Sequence, residues 1–542
     1  MPLDINTGRP ATLAPRGMVT SPHSLASSAG VDVLRAGGSA IDAAIAAAAV
    51  LAVVYPHMTG IGGDAFWLIH DGGSGEISYL SGGGKAVAGA LPAALEKRGL
   101  SEIPLRGIVP ATLTMPGGVA SWIAAHEKYG RLPLPRVLEA AIGSARDGFP
   151  VTARLAAFID MMRDELLNHP ETAALLLPDG AVPRAGTKLA NPHLENTLQA
   201  IAEQGRAGFY EGSIAAEMAR FSRERGGFFE PGDLARQDAT WGKPLVGRYR
   251  GVTIFNTPPP TQGFTVIEML NIVESFDVSA MDLLGPDRLH LLVQAKQIAY
   301  HDRDLLLADP AFADIPLETL ISREYAAKRR GLINPATALR WDQVPSYGSL
   351  SGDTVYIAAV DRDGNAASLI QSLYGAFGSC VTAGNTGVIL QNRSAYFSLD
   401  PDHPNCLAPG KIPLHTLIAS MAKRDSKLCT VLGCMGADGQ PQIQLQLYTA
   451  MIDYGLDIQE ALELPRFLSG RFGLGEARDT LYLESRFPAD TISVLERRGH
   501  PVHRWGAWNE QAGHAHGITI GPEGRMLSGG SDPRSDGAAI GY

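Results

Sequence analysis

The chain has 542 residues, of which 45% are hydrophobic and 19% are charged, a balance that excludes a disordered chain and indicates a globular one. The net charge is −10, from 46 basic and 56 acidic residues. The basic residues form no long run, so we expect no nucleic-acid partner.

The first half of the chain opens with alternating strand and helix patterns. Met18 and Val19 predict a strand. Residues 40–56 are too short and too rich in alanine for a membrane span, so they predict a buried helix and no membrane partner. The turn GIGGD, residues 60–64, lacks the Lys-Ser/Thr pair of a phosphate loop and predicts a tight turn before a strand through Phe66.

Nothing in the sequence points to export. The N-terminus lacks a charged-then-apolar signal pattern, and the four cysteines show no CxxC spacing or accompanying histidine cluster. We therefore expect buried free thiols, a cytoplasmic location, and neither a metal nor a cofactor.

Helix patterns dominate residues 120–230, and another helix is predicted over 285–307. Residues 333–353 are rich in Pro, Ser and Gly and predict a mobile surface loop. Further elements follow it: strands at 387–391, 417–422 and 428–433, helices at 442–453 and 457–463, and strands near 480, near 502 and at 515–520. Two groups of strands with helices between and outside them predict two sheets packed face to face and covered by helices.

The segment SGDTVYIAAVDRDGNAASLIQS, residues 351–372, predicts a hairpin whose turn lies at 361–365. Thr354 stands at the start of its first strand, directly behind the loop. A threonine hydroxyl needs a base, and no motif pairs Thr354 with a histidine. If the chain were cut before Thr354, the new α-amine, with an unperturbed pKa of about 7.7–8.0, could serve as that base.

A second glycine-rich segment, GCMGADGQPQ at residues 433–442, predicts a turn that opens a helix. Free backbone N–H groups at such a turn can bind an oxyanion or a carboxylate, although a helix cap is the more common use. His514 and His516 alternate on a predicted strand and are expected to be surface or core residues rather than ligands.

Many motifs in a fixed order resemble those of the gamma-glutamyltranspeptidase family of N-terminal-nucleophile hydrolases over nearly the whole chain. They include YPHMTGIGGDAFWLI, PGGVASW, PPPTQGF, DTVYIAAVDRDGNAAS, GAFGS, TGVILQNRSAYFS and the ending GGSDPRSDGAAIGY. The resemblance implies an α/β (α+β) fold, a four-layer αββα sandwich, and a chain that cuts itself before a threonine.

By this resemblance the cut falls between Asp353 and Thr354. It would give a large subunit, residues 1–353, and a small subunit, residues 354–542, which together form one composite domain. Thr354 would be the nucleophile, and the backbone N–H groups of Gly436 and Ala437 would stabilise the oxyanion. A homodimer of processed heterodimers is one assembly that the resemblance allows.

The chain departs from the family where substrate is held. Ser81 stands about where transpeptidases carry an Arg for the substrate carboxylate, and Tyr396 replaces an Asp that binds the substrate ammonium. Tyr374 replaces an Asn, and His415 and Thr416 replace two serines. We expect Tyr374, Tyr396, His415 and Thr416, together with Ser372, to form the substrate-binding set. A glutamyl group should bind poorly, because its carboxylate and ammonium would lose their polar partners, and an unpaired polar group in a closed site lowers the binding free energy.

The leading hypothesis is a self-processing amidohydrolase of a small carboxylate amide, because PLHTLIASMA and GCMGADGQPQ resemble the oxamate amidohydrolase branch of the family, which acts in purine breakdown. The reaction would convert oxamate to oxalate and ammonia through an acyl-threonine. Two alternatives are a glutathione hydrolase or gamma-glutamyltransferase with an altered clamp, and a glutaryl acylase of the cephalosporin type. A fourth is a binding protein that keeps the fold without catalysis, although the intact Thr354 disfavours it.

Overall fold

The computed structural model describes residues 7–343, 353–470, 477–523 and 526–542. Its strands are β1 (Thr12–Ala14), β2 (Met18–Ser21), β3 (Asp64–His70), β4 (Ile77–Gly82), β5 (Phe149–Pro150), β6 (Lys188–Leu189), β7 (Thr240–Gly242), β8 (Leu245–Tyr249), β9 (Val252–Asn256), β10 (Asp353–Val360), β11 (Ala366–Tyr374), β12 (Ala419–Arg424), β13 (Lys427–Cys434), β14 (Phe467–Ser469), β15 (Leu481–Glu484), β16 (Val502–Trp505), β17 (Ala515–Ile520), β18 (Leu527–Ser531) and β19 (Ala538–Gly541).

The helices are α1 (Ser24–Arg35), α2 (Ala40–Val54), α3 (Pro92–Glu96), α4 (Ile108–Leu113), α5 (Gly118–Tyr129), α6 (Leu134–Asp147), α7 (Ala153–Met161), α8 (Arg163–Leu167), α9 (Pro170–Leu176), α10 (Pro192–Gln204), α11 (Arg206–Tyr210), α12 (Ser213–Glu224), α13 (Gly263–Val273), α14 (Pro286–Leu306), α15 (Leu317–Leu320), α16 (Arg323–Arg329), α17 (Gln440–Asp453), α18 (Ile458–Glu463) and α19 (Ala489–Arg497). Short 3-10 turns connect several of them.

Two antiparallel sheets of seven strands each form the centre of the described part of the chain. The first sheet has the order β19-β2-β10-β11-β3-β4-β7, and the second has the order β1-β18-β17-β13-β12-β9-β8. Strands β10 and β11 of the first sheet contact β13 and β17 of the second, so the two sheets pack face to face. The predicted pair of stacked sheets is therefore confirmed.

Alternation along β10 divides the apolar residues between two layers, as the period of a strand requires. Tyr356 and Ala358 point into the core between the sheets. Val355 and Ile357 point the other way, into a larger core shared with α1, α2, α5 and α6. Helices α13, α14, α17 and α18 enclose a third core on the outer face of the second sheet. The arrangement is the predicted αββα sandwich.

Helix α2 is buried at every position, which explains why its apolar residues show no single face. Its first turn is closed by a capping box in which Ser39 and Asp42 bond to each other's backbone N–H. Asp42 therefore caps the helix. Across the described ranges, no helix has both the length and the apolar character of a membrane span.

Most of the predicted elements near the C-terminus are confirmed within a few residues. The exception is 387–391, predicted as a strand, where Ile389 and Leu390 make only isolated bridges to Thr382 and Gly62. Residues 344–352 of the loop predicted over 333–353 lie outside the described part. Of the four cysteines, Cys380 and Cys434 are buried, whereas Cys406 and Cys429 are only half-buried, so the prediction of buried thiols was wrong for the latter two.

Candidate active site

Thr354 lies near the start of β10, at an irregularity in the β10–β11 ladder. Asp353 pairs with Tyr374 and Val355 pairs with Gln371, so two residues of β11 stand opposite Thr354 alone. A bulge of this kind re-aims side chains and is common beside active sites. The Thr354 hydroxyl donates a hydrogen bond of 3.2 Å to Ser372 Oγ, and Thr354 is only 1% exposed in the uncut chain.

Ser372 and Tyr374 form the wall next to Thr354. Ser372 Oγ accepts a 2.8 Å hydrogen bond from the Tyr374 N–H. Tyr374 has a φ of 82°, a conformation that costs a bulky residue about 1–3 kcal/mol and that clusters at functional sites. Burial raises the pKa of Tyr374 well above its usual value, so its side chain is a neutral phenol.

Asp64, which the sequence analysis treated only as part of a turn, lies directly across the sheet from Ser372. A Cβ at Gly63 would stand 2.0 Å from the Ser372 carbonyl oxygen, so the glycine is required by this close approach. Asp64 Oδ1 accepts hydrogen bonds from the Gly84 N–H at 2.7 Å and from the Gln391 amide at 3.1 Å. Burial raises the pKa of Asp64 to about 7, against the opposing effect of the nearby Arg393.

His415 is fully buried between Asp64 and the ring of Phe66. Its Nε2 lies 3.6 Å from Asp64 Oδ2, beyond the range of a normal hydrogen bond. Burial, with a smaller effect from Arg393, moves the pKa of His415 well below its usual value. The ring is therefore neutral, and it can offer an anion a hydrogen bond but no charge.

Arg393, missed by the sequence analysis, is a cation among these residues. It begins a short turn, Arg393–Tyr396, and is fully buried. Its Nη1 donates a 3.2 Å hydrogen bond to Thr416 Oγ1, and its guanidinium carbon lies 4.6 Å from the ring centre of Tyr374 and 5.6 Å from that of Tyr396. The structure thus brings Tyr374, Tyr396 and Thr416 together around one cation.

Gly436 and Ala437 form the turn between β13 and α17. Gly436 has a φ of 134° and Ala437 a φ of 46°, so the turn depends on left-handed conformations. Among the described residues, no acceptor takes a hydrogen bond from either N–H. Two adjacent unpaired N–H groups are suited to an oxyanion.

A buried network holds this turn in place. The Gln262 amide donates to the Thr416 carbonyl at 2.8 Å and to the Ala437 carbonyl at 3.1 Å. Arg303 donates a hydrogen bond of 2.7 Å to Gln262 Oε1 and another of 2.8 Å to the Asp438 carboxylate. Gln262 therefore joins the turn at Gly436 and Ala437 to the segment that carries His415 and Thr416. The motif PPPTQGF indicated only a family resemblance and not this contact.

Met435, Gly436 and Ala437 line an open cleft of about 1000 Å³. Trp508 and Arg154 also line it. Thr354 is not among its lining residues, in keeping with its burial in the uncut chain. His514 and His516, expected at the surface or in the core, are both buried.

Comparison with known proteins agrees with this geometry. The family model described as gamma-glutamyltranspeptidase matches residues 26–542. The chain is 41% identical to the glutathione hydrolase-like YwrD proenzyme of Bacillus subtilis, across 98% of this chain and 99% of the relative. It is 39% identical to the oxamate amidohydrolase proenzyme of Klebsiella pneumoniae, with the same coverage.

A solved structure is similar over the full length. The cephalosporin acylase from Bacillus halodurans superposes with a TM-score of 0.92 at 35% identity, covering 100% of this chain and 98% of that one. Sequence family and fold therefore agree over both sheets and both helical layers. The chain belongs to the gamma-glutamyltranspeptidase family of N-terminal-nucleophile hydrolases, enzymes that act on amide bonds.

Proposed function

We propose that this chain is a self-cleaving amidohydrolase whose nucleophile is Thr354 and whose substrate is a small amide with a free carboxylate on its acyl group. Oxamate, which would give oxalate and ammonia, is the leading substrate. The relative named as an oxamate amidohydrolase supports this choice, and the names of both relatives as proenzymes support processing into two subunits.

Cutting would begin with the hydrogen bond from Thr354 to Ser372. As the Thr354 oxygen attacks the Asp353 carbonyl carbon, its proton leaves by way of Ser372. The Asp353–Thr354 C–N bond then breaks, the Thr354 nitrogen takes up that proton and becomes the α-amine, and Asp353 is left as an ester on the Thr354 oxygen. Water hydrolyses the ester, which frees the Thr354 hydroxyl and leaves Asp353 with a carboxyl terminus.

Turnover would use that α-amine as the base. It takes the proton of the Thr354 hydroxyl as the oxygen attacks the amide carbon, and the negative charge on the carbonyl oxygen is held by the Gly436 and Ala437 N–H groups. The ammonium then protonates the leaving nitrogen, and the C–N bond breaks. Water attacks the acyl-threonine, releases the acid and restores the hydroxyl.

The observation that carries the substrate proposal is the pair of tyrosines. The ring centres of Tyr374 and Tyr396 are 4.6 Å apart, and both side chains are almost completely buried. By resemblance, these positions bear the Asn and Asp that hold an amino-acid substrate. Two large neutral rings reduce the volume for a glutamyl chain and offer no carboxylate for its ammonium.

Two other functions have specific support. A glutathione hydrolase or transferase is favoured by the name of the Bacillus subtilis relative, at 41% identity. An acylase that releases a large amine is favoured by the cleft of about 1000 Å³ beside Gly436 and Ala437 and by the similarity to a cephalosporin acylase. Both keep Thr354 as the nucleophile.

Product analysis distinguishes these functions. Processed enzyme is incubated with oxamate, glutaramate, glutaryl-p-nitroanilide, gamma-glutamyl-p-nitroanilide and glutathione, and the released amine and acid are quantified. We expect kcat/KM to be highest for oxamate. A preference for a gamma-glutamyl donor would replace the proposal with the first alternative, and a preference for the glutaryl anilide would replace it with the second.

A further inference from the structure

Arg393 has hydrogen-bonding capacity that the protein does not use. Its Nη1 is bonded to Thr416, but within the described residues neither Nε nor Nη2 has a hydrogen-bond partner. These two nitrogens carry three N–H groups, and one from each lies along the same edge of the planar guanidinium. That edge is the fork that binds a carboxylate through two parallel hydrogen bonds.

No carboxylate of the described residues fills this fork. Asp64 is close enough to affect Arg393, yet its Oδ1 is bonded to Gly84 and Gln391, and no hydrogen bond joins it to the guanidinium. Asp438, the other carboxylate with an effect on Arg393, is bonded by Arg303. A buried cation with unmet donors is costly in a folded protein, so such a feature indicates a place for a ligand anion.

A chain of contacts links the guanidinium of Arg393 to the nucleophile Thr354. Arg393 covers the Tyr374 ring at 4.6 Å, the Tyr374 N–H is bonded to Ser372, and Ser372 is bonded to Thr354. On the other side, Arg393 binds Thr416, which Gln262 connects to Ala437. The cation therefore stands between the strand that carries Thr354 and the turn that carries the unpaired N–H groups.

We propose that Arg393 is the residue that recognises substrate, by binding the free carboxylate of the acyl group through its Nε and Nη2 edge. The proposal rests on the proposed function and deepens it. It assigns the charge recognition to Arg393 and leaves His415, a neutral ring, to a hydrogen-bonding role. It also makes the site select against an α-ammonium, which would meet a like charge.

The test compares oxamate with ethyl oxamate, which presents the same amide but has no charge, by measuring ammonia release. The wild-type enzyme should prefer oxamate in kcat/KM by 100-fold or more. Arg393→Gln should reduce that preference at least 30-fold, and Arg393→Lys, which keeps the charge but loses the fork, should fall between them. Arg288→Gln is the matched control, because Arg288 is another buried arginine and bonds the carbonyls of Leu283 and Gln446 and the hydroxyl of Thr449, so it should leave the preference unchanged.

Folding of each variant is checked by its self-cleavage and its circular dichroism spectrum. Oxalate binding, measured by calorimetry, tests Arg393 without turnover, and Arg393→Gln should weaken it at least 30-fold. If Arg393→Gln keeps the preference for oxamate, or binds oxalate as tightly as wild type, the role of Arg393 is refuted. If wild type hydrolyses no carboxylate amide but binds oxalate through Arg393, the proposed reaction fails while the anion site stands.

Discussion

The hydroxyl of Thr354 lies 3.2 Å from that of Ser372, across the bulge where β10 begins. Both side chains are buried, so water does not compete for this hydrogen bond. Ser372 is in turn fixed by the Tyr374 N–H. The contact therefore orients the Thr354 hydroxyl beside the peptide bond at which the proposed cut falls.

Ser372→Ala should slow self-cleavage, because it removes the acceptor of the Thr354 proton. We expect the rate to fall about tenfold, equivalent to about 1.4 kcal/mol. Ser372→Thr keeps a hydroxyl and should cleave at close to the normal rate, whereas Thr354→Ala should remain a single chain of 57.4 kDa. Mass spectrometry of a time course gives the rate and the new N-terminus. If the smaller fragment begins at a residue other than Thr354, the proposed position of the cut is wrong.

Gln262→Leu should lower kcat with little change in KM, because it frees the Ala437 carbonyl and loosens the turn that holds the oxyanion. One oxyanion donor is worth about 100-fold to 1000-fold in rate, so a displaced turn should cost at least about tenfold. A proline at Gly436 would be a poor test, since the φ of 134° is closed to proline.

Gln446→Leu is the matched control for Gln262→Leu. Gln446 is a buried glutamine whose amide also donates to backbone carbonyls, those of Gln442 and Phe467, but away from the turn. Both variants should lose thermal stability, and only Gln262→Leu should lose kcat. Equal losses of kcat would show that Gln262 acts only through stability.

Asp64→Asn should change how stability depends on pH. Burial raises the pKa of Asp64 from 3.8 to about 7, so the folded protein holds this proton more tightly than the unfolded chain does. The contribution of Asp64 to the free energy of unfolding is therefore constant below about pH 4, falls as pH rises to about 7, and is constant above that. Asparagine does not ionise and can keep the acceptor oxygen for Gly84.

The measurement is the difference in Tm between Asp64→Asn and wild type from about pH 4 to about pH 8. The difference should shift in favour of the variant across this window and then level off. A difference that does not vary with pH would mean that Asp64 has an ordinary pKa in the folded protein.

Tyr396→Ala should admit longer acyl groups, because the ring of Tyr396 packs 4.6 Å from that of Tyr374 and occupies the volume beside Arg393. We expect kcat/KM for succinamate and glutaramate to rise relative to oxamate by about tenfold. Tyr396→Phe retains the ring and should keep the preference for the short substrate. If Tyr396→Ala and wild type show the same selectivity among these substrates, Tyr396 does not line the substrate pocket.

The hairpin around Thr354 could be predicted because its signals are local. Asp361 accepts hydrogen bonds from the N–H groups of Asp363 and Asn365, so the turn is specified within five residues. The strand predicted at 387–391 failed for the opposite reason. A short buried apolar run does not reveal whether its backbone pairs with a neighbouring strand.

Arg393 and Asp64 could not be identified as site residues from their own surroundings. Asp64 meets Ser372 only through the register of β3 against β11, which joins segments about three hundred residues apart. Arg393 has a role only once Thr416 and Tyr374 are placed beside it. Patterns within a short window carry no information about such pairings. Asp64 and Arg393 also lie in motifs of the resemblance, but the resemblance assigned roles to Thr354, Gly436 and Ala437 and gave none to these two residues.

The order of strands in the first sheet has a consequence for the processed protein. A cut before Thr354 would leave β10 and β11 on one chain, hydrogen-bonded on both sides to β2 and β3 of the other. Neither product could leave without breaking these two ladders and the three that join β1 to β18, β2 to β19 and β9 to β12. Once denatured, however, the pieces would have to find each other again, so refolding would become second order in protein concentration. The cut protein would therefore persist because it unfolds slowly, and not because its two pieces refold readily.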